Sequence, residues 1–188
     1  MNRHYIFREK MMIDLTFEQG RKTDFTTLQN IQLAAGHLFY NIGMSHIAEN
    51  PSTDIEGFLA TIKNSSVLVA RFDVNIVGFA LIYRVGNDCH LEQMSVAPEH
   101  ARRGFGSEIL QYLIDKCRRQ QLSRLTLSTF RNVPWNEPFY SKAGFRSISQ
   151  NNLTGYLKAV WQTEDANGLD MTQRTIMRLE LLTAKLDR

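Results

Sequence analysis

Residues 96–108 join a strand-length segment to a helix-length segment, and this junction restricts the fold more than any other part of the chain. The stretch runs Val-Ala-Pro-Glu-His-Ala-Arg-Arg-Gly-Phe-Gly-Ser-Glu. His90 to Val96 has strand length, and Pro98 ends the strand because proline cannot donate a ladder hydrogen bond. From Gly104 onwards apolar residues recur with helical spacing. A strand that leads directly into an amphipathic helix predicts an α/β fold.

The start of this helix is a candidate anion site. The first N–H groups of a helix have no intrahelical partner, and with the helix dipole they attract negative charge. Gly104 and Gly106 have no Cβ, so a diphosphate could approach the main chain closely. Arg102 and Arg103 add positive charge, and Ser107 adds a hydroxyl donor. The same glycines also suit a helix start that only needs a tight turn, so both interpretations stay open at this point.

Composition and motifs disfavour several classes of protein. The net charge is only +3, and Lys and Arg are spread along the chain, which argues against a nucleic-acid-binding protein. No run approaches the roughly 18 apolar residues of a membrane helix, and the charged N-terminal segment has no signal-peptide pattern. Cys89 and Cys117 supply no CxxC motif and no disulfide framework, so we expect reduced thiols, no metal and a cytoplasmic location. The P-loop and Rossmann glycine patterns are missing as well.

Hydrophobic patterns divide the chain into alternating strands and helices. Strands are predicted over residues 13–18, 67–72, 76–85, 90–96, 125–130, 145–149 and 174–182. Helices are predicted over residues 25–39, 55–62, 104–117, 135–142 and 153–166. Without repeats or low-complexity segments, residues 1–188 are expected to form one domain. It would have an extension at 1–12 and an elaborated segment at 150–170.

Two separated motifs resemble those of the GNAT superfamily of N-acetyltransferases. Residues 96–106, Val-Ala-Pro and then Ala-Arg-Arg-Gly-Phe-Gly after two residues, are similar to the family's Val-x-Pro and [Gln/Arg]-x-x-Gly-x-[Gly/Ala] loop. Ala101 departs from this pattern, since the family usually has Gln or Arg there. Residues 138–145 are similar to its Phe-Tyr-x-Lys-x-Gly-Phe block, and the Pro-Trp-Asn element at 134–136 resembles a bacterial subgroup of predicted acetyltransferases. The resemblance implies a GNAT-type α/β fold, with a mixed sheet of six to seven strands and about four to five flanking helices.

The resemblance also implies that acetyl-CoA is the acyl donor, bound without a metal. The strand before the loop is expected to diverge from its neighbour and to offer its backbone to the pantetheine arm, with the Met94 N–H as the oxyanion donor. Either Asn132 or Asn136 would bind the pantetheine amide, because the family's usual asparagine position is occupied by Val133. The remaining residues implied in cofactor binding are Ser95, Val96, Arg102, Arg103, Gly104, Phe105, Gly106 and Ser107.

Glu92 is the leading candidate for the catalytic base, because attack on a thioester requires a neutral amine. Alternation along the strand predicts that Glu92 shares one face with Met94 and Val96, and His90 is aligned as a weaker candidate. An ion pair with Arg84 is the alternative role for Glu92.

Tyr140 resembles the tyrosine that protonates the departing thiolate in many family members. Its phenol is a plausible proton donor to sulfur. The alternative is an aromatic side chain that only packs beneath the cofactor.

The implied function is transfer of acetyl from acetyl-CoA to a primary amine of a small molecule or peptide, by direct attack in a ternary complex. The expected acceptor pocket is lined by His37, Tyr40, His46, Tyr156 and Trp161. A protein lysine or N-terminal acetyltransferase and a non-catalytic acyl-CoA-binding or regulatory module stay open as alternatives. A third is an interaction domain, because family members often form homodimers through a sheet edge, expected here at the last strand.

Overall fold

A central sheet of seven strands organises the chain. The structure, a computed structural model, describes residues 15–49, 54–153 and 155–181. The strands are β1 (Leu15–Gln19), β2 (Ser65–Phe72), β3 (Asn75–Val85), β4 (Asp88–Val96), β5 (Arg124–Phe130), β6 (Arg146–Ile148) and β7 (Arg174–Glu180). The predicted extension at 1–12, the beginning of the first predicted strand at 13–14 and the end of the last at 182 lie outside the described residues.

Six α-helices connect and cover these strands within the described ranges. They are α1 (Phe25–Gly36), α2 (Ser45–Ala48), α3 (Ile55–Thr61), α4 (Phe105–Arg119), α5 (Glu137–Lys142) and α6 (Tyr156–Ala166). The predicted α/β fold is confirmed, with one helix more than expected because α2 is a single turn of four residues that carries no periodic pattern. The predicted first helix continues beyond Gly36 only as 3₁₀ turns over His37–Ile42.

The sheet is mixed, and its order is β1-β2-β3-β4-β5-β7-β6. Every neighbouring pair is antiparallel except β4 and β5, which are parallel and are connected through α4. A parallel pair needs such a crossover because a hairpin turn can only join antiparallel strands. The junction at residues 96–108 is therefore the beginning of the crossover at the middle of the sheet.

Helices cover both faces of the sheet. On one face, α4 packs Ile109, Leu110 and Leu113 against a cluster that includes Leu91 of β4 and Leu127 of β5. On the other face, α1 and α3 pack against β2 and β3 through Leu28, Ile31, Phe58, Val67 and Phe79. The α6 helix extends this second layer over β5 and β7, since Leu157 packs with Ile176 and the Tyr156 hydroxyl bonds Thr126.

The last strand is not an edge of the sheet. β7 lies between β5 and β6, so the outer strands are β1 and β6. The expectation that β7 offers a free edge for dimerisation is therefore wrong, because the short strand β6 pairs with β7 on its outer side. The homodimer itself stays a prediction.

Gly78 is expected to be essential for the packing of β3. A Cβ there would come within 2.7 Å of the Ser95 carbonyl oxygen and 2.8 Å of Ile109 Cδ1. Because the carbonyl belongs to the paired main chain of β4, it cannot move aside without breaking the ladder. Gly78→Ala should lower the free energy of unfolding by about 1–3 kcal/mol in urea denaturation.

Gly36→Ala is the matched control for that substitution. No atom lies within 4 Å of a Cβ built on Gly36, at the end of α1. Replacing a helical glycine by alanine should leave stability unchanged or increase it by up to about 1 kcal/mol. Equal losses of stability in the two variants would contradict the assignment of Gly78.

Candidate active site

β4 and β5 separate part-way along their length. Their parallel ladder runs from Asp88 opposite Arg124 to Leu91 opposite Leu127, although β4 continues to residue 96 and β5 to residue 130. β5 stays paired with β7 over its whole length. In the described chain, the N–H and C=O groups of residues 92–96 that face β5 therefore line an opening instead of a ladder. This divergence agrees with the prediction for the strand that precedes the loop.

A β-bulge in β4 lies where the opening begins. In the pairing with β3, Leu81 is opposite Gln93 and Ile82 is opposite Leu91, so Glu92 is the extra residue. Bulges of this kind redirect side chains and are common beside active sites. The bulge therefore reverses the alternation of the side chains that follow Glu92 in β4.

Glu92 and Met94 point to opposite faces of the sheet. Met94 and Val96 pack against the cluster on the α4 face. On the α1 face, the Gln93 Oε1 accepts a hydrogen bond from Gln32 Nε2 of α1 at 3.5 Å, and the Glu92 carboxylate lies 4.0 Å from His90 Nε2. The prediction that Glu92 shares a face with Met94 and Val96 is wrong, because strict alternation fails at a bulge. Its alignment with His90 is confirmed.

The Glu92 carboxyl group lies in a partly enclosed, charged environment. Its side chain is 38% exposed. Burial raises the pKa of Glu92, the nearby Glu164 carboxylate raises it further, and the Arg174 guanidinium opposes both. The alternative ion pair with Arg84 is not formed in the described chain, because Arg84 donates to the Gly86 carbonyl oxygen at 3.0 Å. A carboxylate whose pKa is raised is better suited to accept a proton near neutral pH.

The sequence prediction did not identify Glu164 or Arg174. Arg174, the first residue of β7, donates from Nε to Glu164 of α6 at 3.1 Å and from Nη2 to the second carboxylate oxygen. Ser128 of β5 donates to Glu164 at 2.8 Å and accepts from Arg174 at 3.1 Å. The guanidinium carbon lies 4.4 Å from the Phe130 ring centroid. The sequence contained one signal for Arg174: it lies two residues before the apolar Ile176 on the last strand, so both side chains face the same side of the sheet.

Tyr140 lies on the α4 face. Its side chain is buried in the cluster that also contains Phe145, and its ring meets that of Phe139 at 5.1 Å between centroids. Burial raises the pKa of the phenol well above its ordinary value, although Arg174 opposes the shift. The hydroxyl is therefore protonated at neutral pH and able to donate. Arg174 thus influences both Glu92 and Tyr140.

The predicted phosphate loop has the backbone expected of an anion site. Gly104 is the N-cap of α4 with φ of +91°, and Arg102 has φ of +59°. Glu108 makes an early helical bond, from its N–H to the Gly104 carbonyl at 3.1 Å. The N–H groups of Phe105, Gly106 and Ser107 come before it, at the positions where a helix has no internal acceptor. Arg102 and Ser107 are exposed beside them, whereas Phe105 anchors the turn in the core.

Arg103 lies against two aromatic side chains, Phe72 at the end of β2 and Phe105 at the beginning of α4. Its guanidinium carbon is 5.5 Å from the Phe72 ring centroid and 5.1 Å from that of Phe105. Its Nη1 lies 3.2 Å from His100 Nδ1. Cation–π contacts of this kind fix the side chain at the mouth of the loop.

The two candidate asparagines occupy different positions around the loop after β5. Asn132 is exposed with φ of +54°. Asn136 begins α5, and its carbonyl accepts the Tyr140 N–H at 3.0 Å. Val133, at the position where an asparagine was expected, is buried with Met44. Neither asparagine is distinguished by these contacts.

A comparison of the chain with known protein families gives a clear result. Residues 32–145, more than half of the chain, match the model of the acetyltransferase (GNAT) family. The chain belongs to the GNAT acetyltransferase family. The two sequence motifs and the opening between β4 and β5 lie within the matched region or at its border.

Solved structures share the fold of this GNAT protein. The ribosomal-protein-S18-alanine N-acetyltransferase from Escherichia coli is 16% identical, with a TM-score of 0.66 over 93% of this chain and 98% of that one. The PaiA N-acetyltransferase from Thermoplasma acidophilum, in complex with coenzyme A, is 18% identical, with a TM-score of 0.62 over 88% and 98%. A GNAT family acetyltransferase from Elizabethkingia anophelis with acetyl-CoA bound is 18% identical, with a TM-score of 0.61 over 89% and 98%. At such identities the likeness shows the fold alone.

The residues expected around the acceptor pocket of this GNAT protein form separate groups. The His37 and Tyr40 rings contact each other at 5.8 Å between centroids, and His46 is exposed. Tyr156 and Trp161 belong to a separate cluster, formed by α6 around Leu157 and Ile176. A shallow cavity of about 280 Å³ lies at the end of β5, lined by Ile42, Met44, Arg131, Asn132, Val133, Pro134, Thr172 and Gln173.

Two further features concern metals and membranes. Among the described residues, no group of three or more His, Cys, Asp and Glu side chains is arranged to bind a metal ion. Within the same ranges, no helix combines the length and apolarity needed to cross a membrane.

Glu92→Gln is expected to stabilise this GNAT protein at alkaline pH. Because folding raises the pKa of Glu92, the stability contributed by its acid form is complete below the unfolded pKa and lost as pH rises through the folded one. Glutamine resembles the neutral acid and retains that contribution. With the side chain 38% exposed, the gain at about pH 8 should stay below about 1 kcal/mol.

Urea denaturation of wild type and variant at about pH 8 and about pH 4 measures this effect. The gain should be much smaller at the lower pH, where wild-type Glu92 is largely protonated in both the folded and the unfolded state. Glu99→Gln, at an exposed carboxylate, is the control. A gain of the same size at both pH values would contradict the raised pKa.

Proposed function

We propose that this GNAT protein transfers an acetyl group from acetyl-CoA to a primary amine of a small molecule or peptide, by direct attack in a ternary complex. The observation that carries the proposal is the opening between β4 and β5, with a proton acceptor and a proton donor on its two faces. Glu92 faces the α1 layer and Tyr140 lies in the α4 layer. Both are within the electrostatic influence of Arg174.

The residues of the chain fit acetyl-CoA at both ends of the cofactor. The first N–H groups of α4, with Arg102 and Arg103, would bind the diphosphate. A Cβ on Gly106 would make only ordinary contacts, 3.7 Å from Val96 Cγ2 and 3.8 Å from Phe139 Cζ, so the turn itself does not require glycine there. This supports a role for Gly106 in the close approach of a ligand. The structurally similar proteins with coenzyme A and acetyl-CoA bound support acetyl-CoA as the ligand.

Acetyl-CoA supplies an activated thioester when bound, and the chain's residues handle the protons. Glu92 accepts the proton that the amine releases as nitrogen forms its bond to the acetyl carbon. Met94 lies on the part of β4 that pairs with β3 but no longer with β5. Its N–H would donate to the thioester carbonyl oxygen as charge develops there. Tyr140 donates its proton to sulfur as the carbon–sulfur bond breaks. The products are an amide and a thiol. The proton held by Glu92 returns to solvent, and Tyr140 takes up a proton from solvent, so both residues regain their starting forms.

A non-catalytic acyl-CoA-binding or regulatory module is the second candidate. Ala101 favours it, because an exposed alanine stands where relatives usually have a polar side chain at the loop. An acetyltransferase that acts on lysine side chains or N-termini of proteins stays an alternative to the first proposal. We also propose a cytoplasmic location and a homodimer. The two free, buried cysteines support the cytoplasmic location.

Glu92→Gln and Tyr140→Phe are expected to slow acetyl transfer without abolishing cofactor binding. Loss of the base should lower kcat by about 10²–10⁴-fold, and loss of the phenol by at least about tenfold. Release of CoA from acetyl-CoA, measured against a panel of primary amines, reports turnover. Tyr112→Phe, at a ring stacked on Phe17, is the control for removing a hydroxyl.

Calorimetry with acetyl-CoA accompanies each of these assays. Tight binding by the wild type without turnover on any amine would favour the binding module. Turnover that neither substitution changes would show that the assigned residues are wrong although the activity is right.

Arg102→Ala is expected to weaken binding of CoA about tenfold and to leave binding of pantetheine unchanged, because only CoA carries the diphosphate. Arg118→Ala is the control, since Arg118 lies in the last turn of the same helix and pairs with Asp115 at 3.4 Å. Isothermal titration with both ligands measures the difference. Equal weakening for CoA and pantetheine would indicate a general disturbance of the loop.

A further inference from the structure

His90 is a buried histidine at the point where β4 is about to leave β5. It is 1% exposed and stands opposite Thr126 in the parallel ladder. Its ring lies 5.0 Å from that of Tyr83 and 6.0 Å from that of Tyr156 between centroids. Burial lowers the pKa of His90 to about 3, so the ring is neutral at pH 7. A neutral imidazole has one N–H donor and one acceptor nitrogen.

Three side chains form a polar chain that leads to Glu92. The Tyr156 hydroxyl and Thr126 Oγ1 are 2.9 Å apart, and Thr126 Oγ1 and His90 Nδ1 are also 2.9 Å apart. His90 Nε2 faces the Glu92 carboxylate at 4.0 Å. An ionised carboxylate only accepts hydrogen bonds, so the nitrogen that faces it is the one that carries hydrogen. Nδ1 then accepts from Thr126, and Thr126 accepts from Tyr156.

The other tautomer satisfies the same groups less well. With hydrogen on Nδ1, Thr126 would accept from His90 and would have only the Cys89 carbonyl for its own hydrogen, at 3.3 Å. That contact is longer than the two bonds of 2.9 Å. The lone pair of Nε2 would also face the carboxylate of Glu92. Both differences favour hydrogen on Nε2.

We propose that His90 is a positioning residue for Glu92. Thr126 and Tyr156 maintain the Nε2–H tautomer of His90, which directs a donor at the Glu92 carboxylate and favours its ionised, proton-accepting form. The inference rests on the proposed role of Glu92 as the base. Catalytic hydrogen bonds often reach their final length only in the reacting complex, so the separation of 4.0 Å fits this role.

Four groups on the elements around Glu92 contribute to its electrostatic environment. Tyr83 of β3 and His90 of β4 are neutral, Glu164 of α6 is acidic, and Arg174 of β7 is basic. Burial and Glu164 favour the protonated carboxyl, whereas Arg174 favours the ionised form. A donor on His90 acts in the same direction as Arg174, and it is aimed at one carboxylate oxygen.

The tautomer can be observed directly, without any acetyl transfer. In protein labelled with ¹⁵N-histidine, long-range ¹H–¹⁵N spectra at about pH 7 should show His90 with a protonated Nε2 and a bare Nδ1. His90→Gln assigns the signal among the five histidines of the chain. A protonated Nδ1 would overturn the proposal, whether or not the protein acetylates amines.

Thr126→Val and Thr126→Ser test the effect on the base. Without the hydroxyl, Nδ1 loses its donor and the tautomer is no longer fixed. The pKa of Glu92 should then rise, and the acid limb of kcat/KM should move up by about one pH unit. At pH values on that limb kcat/KM should fall about tenfold. Thr126→Ser restores the hydroxyl and should restore the limb.

Tyr156→Phe should give a smaller shift in the same direction, and it serves as the second variant if Thr126→Val folds poorly. Melting temperature and acetyl-CoA affinity are measured for each protein. An acid limb that stays in place in both Thr126→Val and Tyr156→Phe would overturn the inference while leaving Glu92 as the base. An acid limb of kcat/KM that is the same in Glu92→Gln as in the wild type would instead contradict the proposed function.

Discussion

The site depends on the point at which the parallel ladder between β4 and β5 ends. Beyond Leu91 and Leu127, main-chain groups that a continuous sheet would use for its own pairing are free for a ligand. Unpaired backbone groups are costly unless they find partners, so a divergence in the middle of a sheet needs support on both sides. β3 supplies that support for β4, and β7 supplies it for β5 up to Phe130 opposite Arg174.

The buried ion pair between Glu164 and Arg174 connects the elements that surround this divergence. It links α6 to the beginning of β7 and includes Ser128 of β5, just beyond the end of the pairing between β5 and β4. A buried pair of this kind adds little to stability relative to apolar packing, but breaking it leaves an isolated charge. Its contribution is therefore to hold α6, β5 and β7 in place beside the opening and to set the electrostatic environment of Glu92. The pair therefore lies beside the part of β5 that no longer pairs with β4.

The sequence was sufficient for the architecture but not for the details of the site. Strand and helix periods identified the elements, because apolar contacts such as those of Ile109 and Leu113 follow directly from spacing. The bulge was not predictable, because a single inserted residue at Glu92 leaves the pattern of polar and apolar side chains almost unchanged. Glu164 and Arg174 were missed because they meet only after a helix and a turn fold back onto the sheet. The interior position of β7 likewise depends on its pairing with β6, a strand of only three residues that is separated from β7 in the chain by α6.

The bulge in β4 decides which side chains of that strand share a face with Glu92. Alternation holds from His90 to Glu92 and places both side chains on the α1 face, so unbroken alternation would have sent Met94 to that face as well. The inserted residue instead sends Met94 and Val96 into the apolar layer on the α4 face, while Glu92 stays on the polar side, near His90 and Arg174. Tyr140 stays in the apolar layer, where burial maintains the protonated phenol that a proton donor requires. One irregularity in one strand thus keeps the proposed base on a polar face and the apolar side chains of the same strand on the face where the proposed acid, Tyr140, is buried.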